Sequence, residues 1–146
     1  MKEHDFKKFP ELANSQIDLF YFESPHKQIL EDFRAKVIKV VDGDTVRLEW
    51  DERDFDFPLR LLNIQAPELG EDGGDEARKW LEGKLLGEEV DILIDKSNRV
   101  EKWGRLLGTI MFNGMDIAEE EINLGLATSW DRRNENKIPT LDELLN

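Results

Sequence analysis

Alternating apolar and polar residues dominate the chain from Ala35 onward. Runs rich in valine and leucine lie on both sides of the polar tetrapeptide D42-G43-D44-T45. Such runs favour half-buried strands, and an Asp-Gly pair between two of them favours a hairpin. The pattern therefore predicts strands over 37–41 and 46–50, with two aspartates at the turn between them.

The same pattern predicts further strands over 57–64, 90–94 and 105–112, and Asn113-Gly114 predicts a short return strand over 115–117. Two segments have helical spacing instead. One begins near Asp75 and ends at Gly87, with its apolar positions at Ala77, Trp80, Leu81 and Leu85. The other covers 117–124 and ends at Gly125. About five short strands with two or three helices predict an α+β fold, a closed five-stranded barrel of the oligonucleotide/oligosaccharide-binding (OB) kind.

The two ends of the chain differ from this central part. We interpret residues 1–34 as an N-terminal extension, 35–130 as the main domain and 131–146 as a polar C-terminal tail. Within the extension, Ser24 and Pro25 predict the start of a short helix over 24–30. The aromatic residues of the extension are expected to pack on the domain, and a surface for a protein partner is the alternative.

The amino-acid composition limits the kinds of catalytic and metal-binding groups that the chain can supply. The chain has 146 residues, no cysteine and two histidines, His4 and His26. Disulfides, thiolate metal sites and cysteine nucleophiles are thereby excluded. Catalysis in the main domain must use carboxylates, arginines, lysines, hydroxyls or a metal ion.

Charge and hydropathy limit the classes of partner that the protein can bind. The net charge of −13 argues against a protein that holds nucleic acid through many phosphate contacts. The same charge is compatible with a nucleic acid substrate whose phosphate is bound by a cation and a few arginines. No apolar run approaches the roughly 20 residues of a membrane span, and the charged start lacks an apolar signal core. We expect a cytoplasmic protein without a membrane partner; the oligomeric state is not predicted.

Four residues at strand ends are candidates for chemistry. Arg60 and Arg105 each begin an R-L-L segment. Either one alone also fits the solvent face of an edge strand, but two guanidinium groups are also suited to clamp one phosphate bidentately. Glu68 and Asp44 supply carboxylates that a hard cation prefers as ligands.

Four blocks of sequence, VDGDTV, RLLNIQAPE, KWGRLLG and NLGLA, follow in this order. Together they resemble the staphylococcal nuclease-like (thermonuclease) family over about residues 35–130. The resemblance implies an OB-fold barrel with a calcium-dependent phosphodiesterase site for DNA or RNA, another divalent metal being the alternative. The resemblance implies that the metal is bound by Asp44, Gln65, Glu68 and the backbone carbonyl of Ala66, and that Glu68 also activates water. It implies that Arg60 and Arg105 clamp the scissile phosphate. It further implies that Lys102 contacts phosphate and that Trp103 stacks on a base or sugar.

One position departs from the family pattern. Gln65 stands where the family usually has an aspartate, which removes one negative charge from the implied ligand set and predicts weaker calcium binding. Gln65, the acidic surface and the aromatic extension together favour an alternative function. In that alternative the chain is a catalytically weak or inactive barrel module that binds protein or nucleic acid.

Overall fold

The computed structural model describes residues 5–7, 9–101 and 104–129. Its strands are β1 (Phe33–Asp42), β2 (Thr45–Glu49), β3 (Phe57–Leu61), β4 (Ile64–Gln65), β5 (Glu89–Leu93), β6 (Leu106–Phe112), β7 (Met115–Asp116) and β8 (Thr128–Ser129). Its helices are α1 (Asn14–Phe20), which continues into a 3₁₀ turn (Tyr21–Glu23), then α2 (Gly74–Leu85) and α3 (Ile117–Asn123). The predicted tail, residues 131–146, lies outside the described residues.

Five strands close into a barrel. They are hydrogen-bonded in the order β3-β2-β1-β5-β6, and β6 also pairs with β3, which completes the ring. The β3–β6 pairing is parallel, whereas the other neighbours in the ring are antiparallel. The predicted α+β fold with a five-stranded OB barrel is confirmed.

The core fills the barrel and the space under α2. Inward-facing residues of β1, β2 and β3 are fully buried, and so are Ala77, Leu81 and Leu85 of α2. These three lie one turn apart on one face of the helix, as the sequence predicts. Trp80, the fourth predicted position, is only partly buried and packs against the edge of the core.

The predicted strand over 57–64 is in fact two strands. β3 ends at Leu61, and Asn63 has a φ of 61°, which asparagine tolerates better than most residues. The chain thereby changes direction, and β4 pairs with β8 instead of extending β3. This break brings Gln65 and Ala66 over the end of the barrel.

The predicted helix over 24–30 is wrong, since this stretch has no regular structure. Side-chain hydrogen bonds to a different part of the chain outweigh the local preference. Gln28 accepts the N–H of Leu12 at 2.6 Å and donates to the carbonyl of Pro10 at 2.8 Å. Gln28 also donates to the hydroxyl of Ser24 at 3.0 Å, so Ser24 does not cap a helix.

Residues 9–30, here called the N-terminal segment, pack on the barrel in part. Leu12 and Ile29 are buried, as expected of a segment that covers the domain. Phe22 is 96% exposed and Leu19 is 63% exposed, so part of its apolar surface faces solvent. The boundaries predicted between extension, domain and tail remain predictions. In the part of the chain that the structure describes, no helix has both the length and the apolar composition to cross a membrane.

Candidate active site

A cleft of about 650 Å³ opens at one end of the barrel. The turn between β1 and β2, the end of β3, the 62–68 loop and the residues before β6 meet there. Its charged lining consists of four carboxylates and two guanidinium groups: Asp42, Asp44, Glu68, Glu101, Arg60 and Arg105. The cleft therefore holds both signs of charge within one small volume.

The β1–β2 turn is tight because of Asp42 and Gly43. One carboxylate oxygen of Asp42 accepts the backbone N–H of Asp44 at 3.0 Å, which agrees with its predicted role as a turn residue. Gly43 lies against two alanines, since a Cβ there would stand 2.6 Å from the Cβ of Ala66 and 2.7 Å from that of Ala77. Any larger residue at Gly43 would push the turn away from the 62–68 loop.

Asp44 is buried and held from several sides. Its Oδ2 accepts the N–H of Ala66 at 3.0 Å and lies 3.4 Å from Nη2 of Arg60. Its Oδ1 accepts the hydroxyl of Thr45 at 3.1 Å. These contacts fix the carboxylate so that it faces the cleft without rotating.

Strand register brings the two arginines together. Arg60 pairs with Thr45 of β2 on one side and with Leu107 of β6 on the other. Arg105 stands two residues before Leu107, and side chains two apart on a strand share a face. The Arg60 side chain is only 14% exposed, so the alternative that placed it on a solvent face is wrong.

Arg105 belongs to a hairpin in which residues 99–101 pair with residues 104–107, here called the arginine hairpin. Its Nε and Nη2 donate to the two oxygens of Glu101 at 2.7 and 3.1 Å, while its Nη1 donates to the hydroxyl of Thr45 at 3.3 Å. The hydrogen bonds to Glu101 raise the pKa of Arg105. Sequence reasoning missed Glu101, although a carboxylate four residues before an arginine across a glycine turn is a visible signal.

Glu68 lies on the exposed lip of the cleft, and its backbone is fixed from both sides. Its N–H donates to the Glu71 carboxylate at 2.8 Å, and its carbonyl accepts the Glu71 N–H at 3.0 Å. Gly74, the first residue of α2, leaves no room for a side chain, because a Cβ there would lie 2.0 Å from the Glu68 carbonyl. The start of α2 thus sets the position of Glu68.

The sequence-predicted residues are therefore found in one place. Arg60, Arg105, Asp44, Glu68, Gln65 and Ala66 all line the cleft. Lys102 and Trp103 lie outside the described residues. The roles assigned to these residues remain predictions.

Two further carboxyl groups have raised pKa values. Burial and the adjacent Asp44 raise the pKa of Asp42 to about 6. Burial, together with the charges of Asp44 and Asp42, raises the pKa of Glu121 to about 9. Glu121 is fully buried, and neither of its oxygens has a hydrogen-bond partner in the described chain. Sequence reasoning missed it, although it falls on the apolar stripe of α3 with Ile117.

The predicted metal ligands fit a hard cation by their chemistry. Asp44, Glu68, the amide of Gln65 and the carbonyl of Ala66 are all oxygen donors, which Ca²⁺ and Mg²⁺ prefer. Only two of the four carry charge. Among the described residues, no group of three or more Asp, Glu, His or Cys side chains is arranged to hold a metal. The described residues thus offer oxygen donors of the kind that a divalent ion takes, without a cluster of three such acidic side chains.

Comparison with known proteins shows the family to which the chain belongs. The family model described as staphylococcal nuclease homologue matches residues 58–146. An uncharacterized endonuclease of Escherichia coli O157:H7 is 30% identical over 129 residues, which cover 88% of this chain and 78% of that protein. A micrococcal nuclease of Shigella flexneri is 33% identical over 79 residues, covering 54% of this chain and 42% of that protein. The protein is thus a nuclease, a phosphodiester hydrolase. It belongs to the staphylococcal nuclease homologue family.

Proposed function

We propose that the protein is a divalent-metal-dependent phosphodiesterase that cleaves DNA or RNA, with calcium as its metal. The observation that supports this most is the convergence of Arg60, Arg105, Asp44 and Glu68 on one cleft. These residues come from four separate parts of the chain. A scaffold without catalytic function has no physical reason to gather them there.

In this proposal the two arginines hold the scissile phosphate between them. Water attacks the phosphorus, a new P–O bond forms, and the bond to the leaving oxygen breaks. Negative charge grows on the phosphate oxygens in the transition state, and fixed guanidinium donors stabilise that charge. Arg60 is well suited to this because two contacts hold its guanidinium group in place. Its Nη1 donates to the Leu61 carbonyl at 2.6 Å, and its Nη2 lies 3.4 Å from Oδ2 of Asp44.

Glu68 orients the attacking water and accepts its proton. Its position on the lip of the cleft allows water to reach it, and its fixed backbone limits the directions that its carboxylate samples. Asp44, Glu68, Gln65 and Ala66 would hold the metal ion. When bound, a divalent ion supplies positive charge that offsets the charge of the phosphate. Lys102 and Trp103 are proposed to contact a second phosphate and a base or sugar.

Replacing Glu68 by Gln tests the role of this carboxylate. The Glu68→Gln protein should cut single-stranded DNA about a hundredfold more slowly than the unchanged chain, because an amide does not accept the proton of water. Rates are measured with calcium, with manganese and with a chelator. Asp72→Asn, a change of equal chemistry elsewhere in the connection between β4 and α2, is the control and should leave the rate unchanged.

Two results would contradict the proposal. Cleavage that persists in the presence of chelator would show that the reaction does not depend on a metal ion. Cleavage by Glu68→Gln at the full rate would show that Glu68 has no role in activating water. No cutting with any metal, together with saturable binding of an oligonucleotide, would favour the alternative of an inactive binding module.

Replacing Gln65 by Asp tests the placement of the metal. One added carboxylate among the ligands should tighten calcium binding about tenfold, as measured by calorimetry on the full chain. Asn98→Asp adds the same charge elsewhere on the cleft wall and should have a much smaller effect. If both variants tighten binding equally, the gain comes from general electrostatic attraction, and Gln65 is not a ligand position.

A further inference from the structure

The N-terminal segment is attached to the arginine hairpin through one buried side chain, that of Arg99. Its Nε and Nη2 donate to the Ile29 carbonyl at 2.9 and 2.6 Å. Its Nη1 donates to the Leu12 carbonyl and to the Asn14 side chain, both at 3.0 Å. Arg99 is 3% exposed. These three partners, Leu12, Asn14 and Ile29, belong to the N-terminal segment, so the attachment fixes the two parts relative to each other.

A buried carboxylate completes this attachment. Glu11, which is 3% exposed, lies with one oxygen 3.3 Å from Nη2 of Arg99 and with the other against Arg53. It also accepts the N–H of Ile29 at 3.0 Å. A buried guanidinium is costly without such a partner. The guanidinium groups of Arg53 and Arg99, which lie in connections between barrel strands, therefore have these partners only when the N-terminal segment is in place.

A second contact lies directly beside Arg105. The ring of Phe9 packs on Gly104, where a Cβ would stand 2.5 Å from the ring. Gly104 has a φ of +89° and donates its N–H to the Glu101 carbonyl at 2.9 Å. Phe9 thus covers Gly104, the residue directly before Arg105.

The arginine hairpin transmits these contacts to the cleft. Leu107 donates its N–H to the Arg99 carbonyl at 2.8 Å, and Glu101 donates to the Arg105 carbonyl at 2.9 Å. One end of the hairpin is therefore fixed by Arg99 and its turn is fixed by Phe9. Arg105 and Glu101 lie between these two points.

We propose that the N-terminal segment positions Arg105 for catalysis, with Arg99 and Phe9 as the positioning residues. The segment contacts the hairpin that carries Arg105, whereas the place of Arg60 is set by β2 and β6 and by its contacts with Asp44 and Leu61. It therefore acts on one of the two arginines. This inference rests on the proposed function of Arg105 as a phosphate clamp, and it gives the extension a role in turnover in place of partner recruitment.

A set of double variants of the full chain tests the inference. Phe9→Ala and Arg99→Lys should each lower kcat on a short single-stranded DNA with calcium about tenfold, since a small displacement of a catalytic group is costly. In an Arg105→Lys background the same changes should lower kcat less than twofold. In an Arg60→Lys background they should again lower it about tenfold. Phe22→Ala, which removes an exposed ring of the same segment, is the control and should have no effect.

A purely structural role would give a different pattern. Loss of folded protein would lower the rate by the same factor in every background, and this result would overturn the inference. Phe9 is only partly buried, so Phe9→Ala should stay folded even if Arg99→Lys does not. Phe9→Leu should restore most of the rate, because a leucine still covers Gly104.

A substrate-free measurement gives independent support. The Nε–H resonance of Arg105 reports its hydrogen bond to Glu101, and it should shift in Phe9→Ala while that of Arg60 does not. An unmoved Arg105 resonance would contradict the inference. If Arg105→Lys alone keeps the full rate, the phosphate clamp fails and the inference fails with it. If Arg105→Lys is slow but the segment variants are not, only the inference fails.

Discussion

Arg60→Lys is expected to lower kcat about a thousandfold while the midpoint of thermal unfolding changes by only a few degrees. A guanidinium that stabilises a transferring phosphate contributes at least this much in other enzymes. Lysine keeps the positive charge and the ion pair with Asp44. It lacks the planar fork that binds two phosphate oxygens at once, so the loss falls on turnover.

Arg47→Lys is the matched control for this change. Arg47 lies on the neighbouring strand β2, where it contacts Asp56 at 3.0 Å on the surface. Exposed pairs of this kind contribute little to stability, and this one is away from the cleft lining. Its rate and stability should match those of the unchanged chain. Full activity in Arg60→Lys would show that Arg60 is a structural residue and that the clamp is misassigned.

The β1–β2 hairpin shows what the sequence predicts well. The strand pattern and the Asp-Gly pair are local signals, and they located the turn that presents Asp44. They also indicated that Arg60 and Arg105 stand at strand ends. What they could not supply is the parallel pairing of β3 with β6, which places Arg60 beside Leu107. That pairing joins parts of the chain 47 residues apart, and no local period encodes it.

The N-terminal segment shows where local reasoning fails. Ser24 and Pro25 favour a helix start, but Gln28 forms its hydrogen bonds with residues 10 and 12 instead. The contact of Glu11 is not local either, because its partner Arg99 is 88 residues away in the sequence. A charged residue in a sequence is ordinarily interpreted as exposed. Only the folded chain shows that Arg53 and Arg99 share the buried carboxylate of Glu11 as an ionic partner.

Glu121→Gln is expected to stabilise the protein by about 3 kcal/mol at pH 7 and by almost nothing near pH 4.5. Burial, and then the charges of Asp44 and Asp42, raise the pKa of Glu121 from 4.5 to about 9 in the folded chain. The folded state therefore keeps the proton that the unfolded state releases above pH 4.5. The free energy of unfolding falls by about 1.4 kcal/mol per pH unit from there until the pKa of the folded state is reached.

Urea unfolding at pH 4.5, 7 and 9 measures this difference, with Glu119→Gln, an exposed position on the same helix, as the control. Above about pH 6 the Glu121→Gln curve should lose the decline that the unchanged chain and Glu119→Gln share, whereas the raised pKa of Asp42 leaves a smaller decline below that pH in every variant. Glu121→Leu should be more stable still at every pH, since it also removes two buried oxygens without partners in the described chain. A decline of equal slope in all four proteins would show that Glu121 ionises normally and that a group elsewhere balances its charge. A carboxyl that lowers stability at neutral pH, and whose pKa is raised in part by the aspartates that line the cleft, fits the trade between stability and activity seen at functional sites.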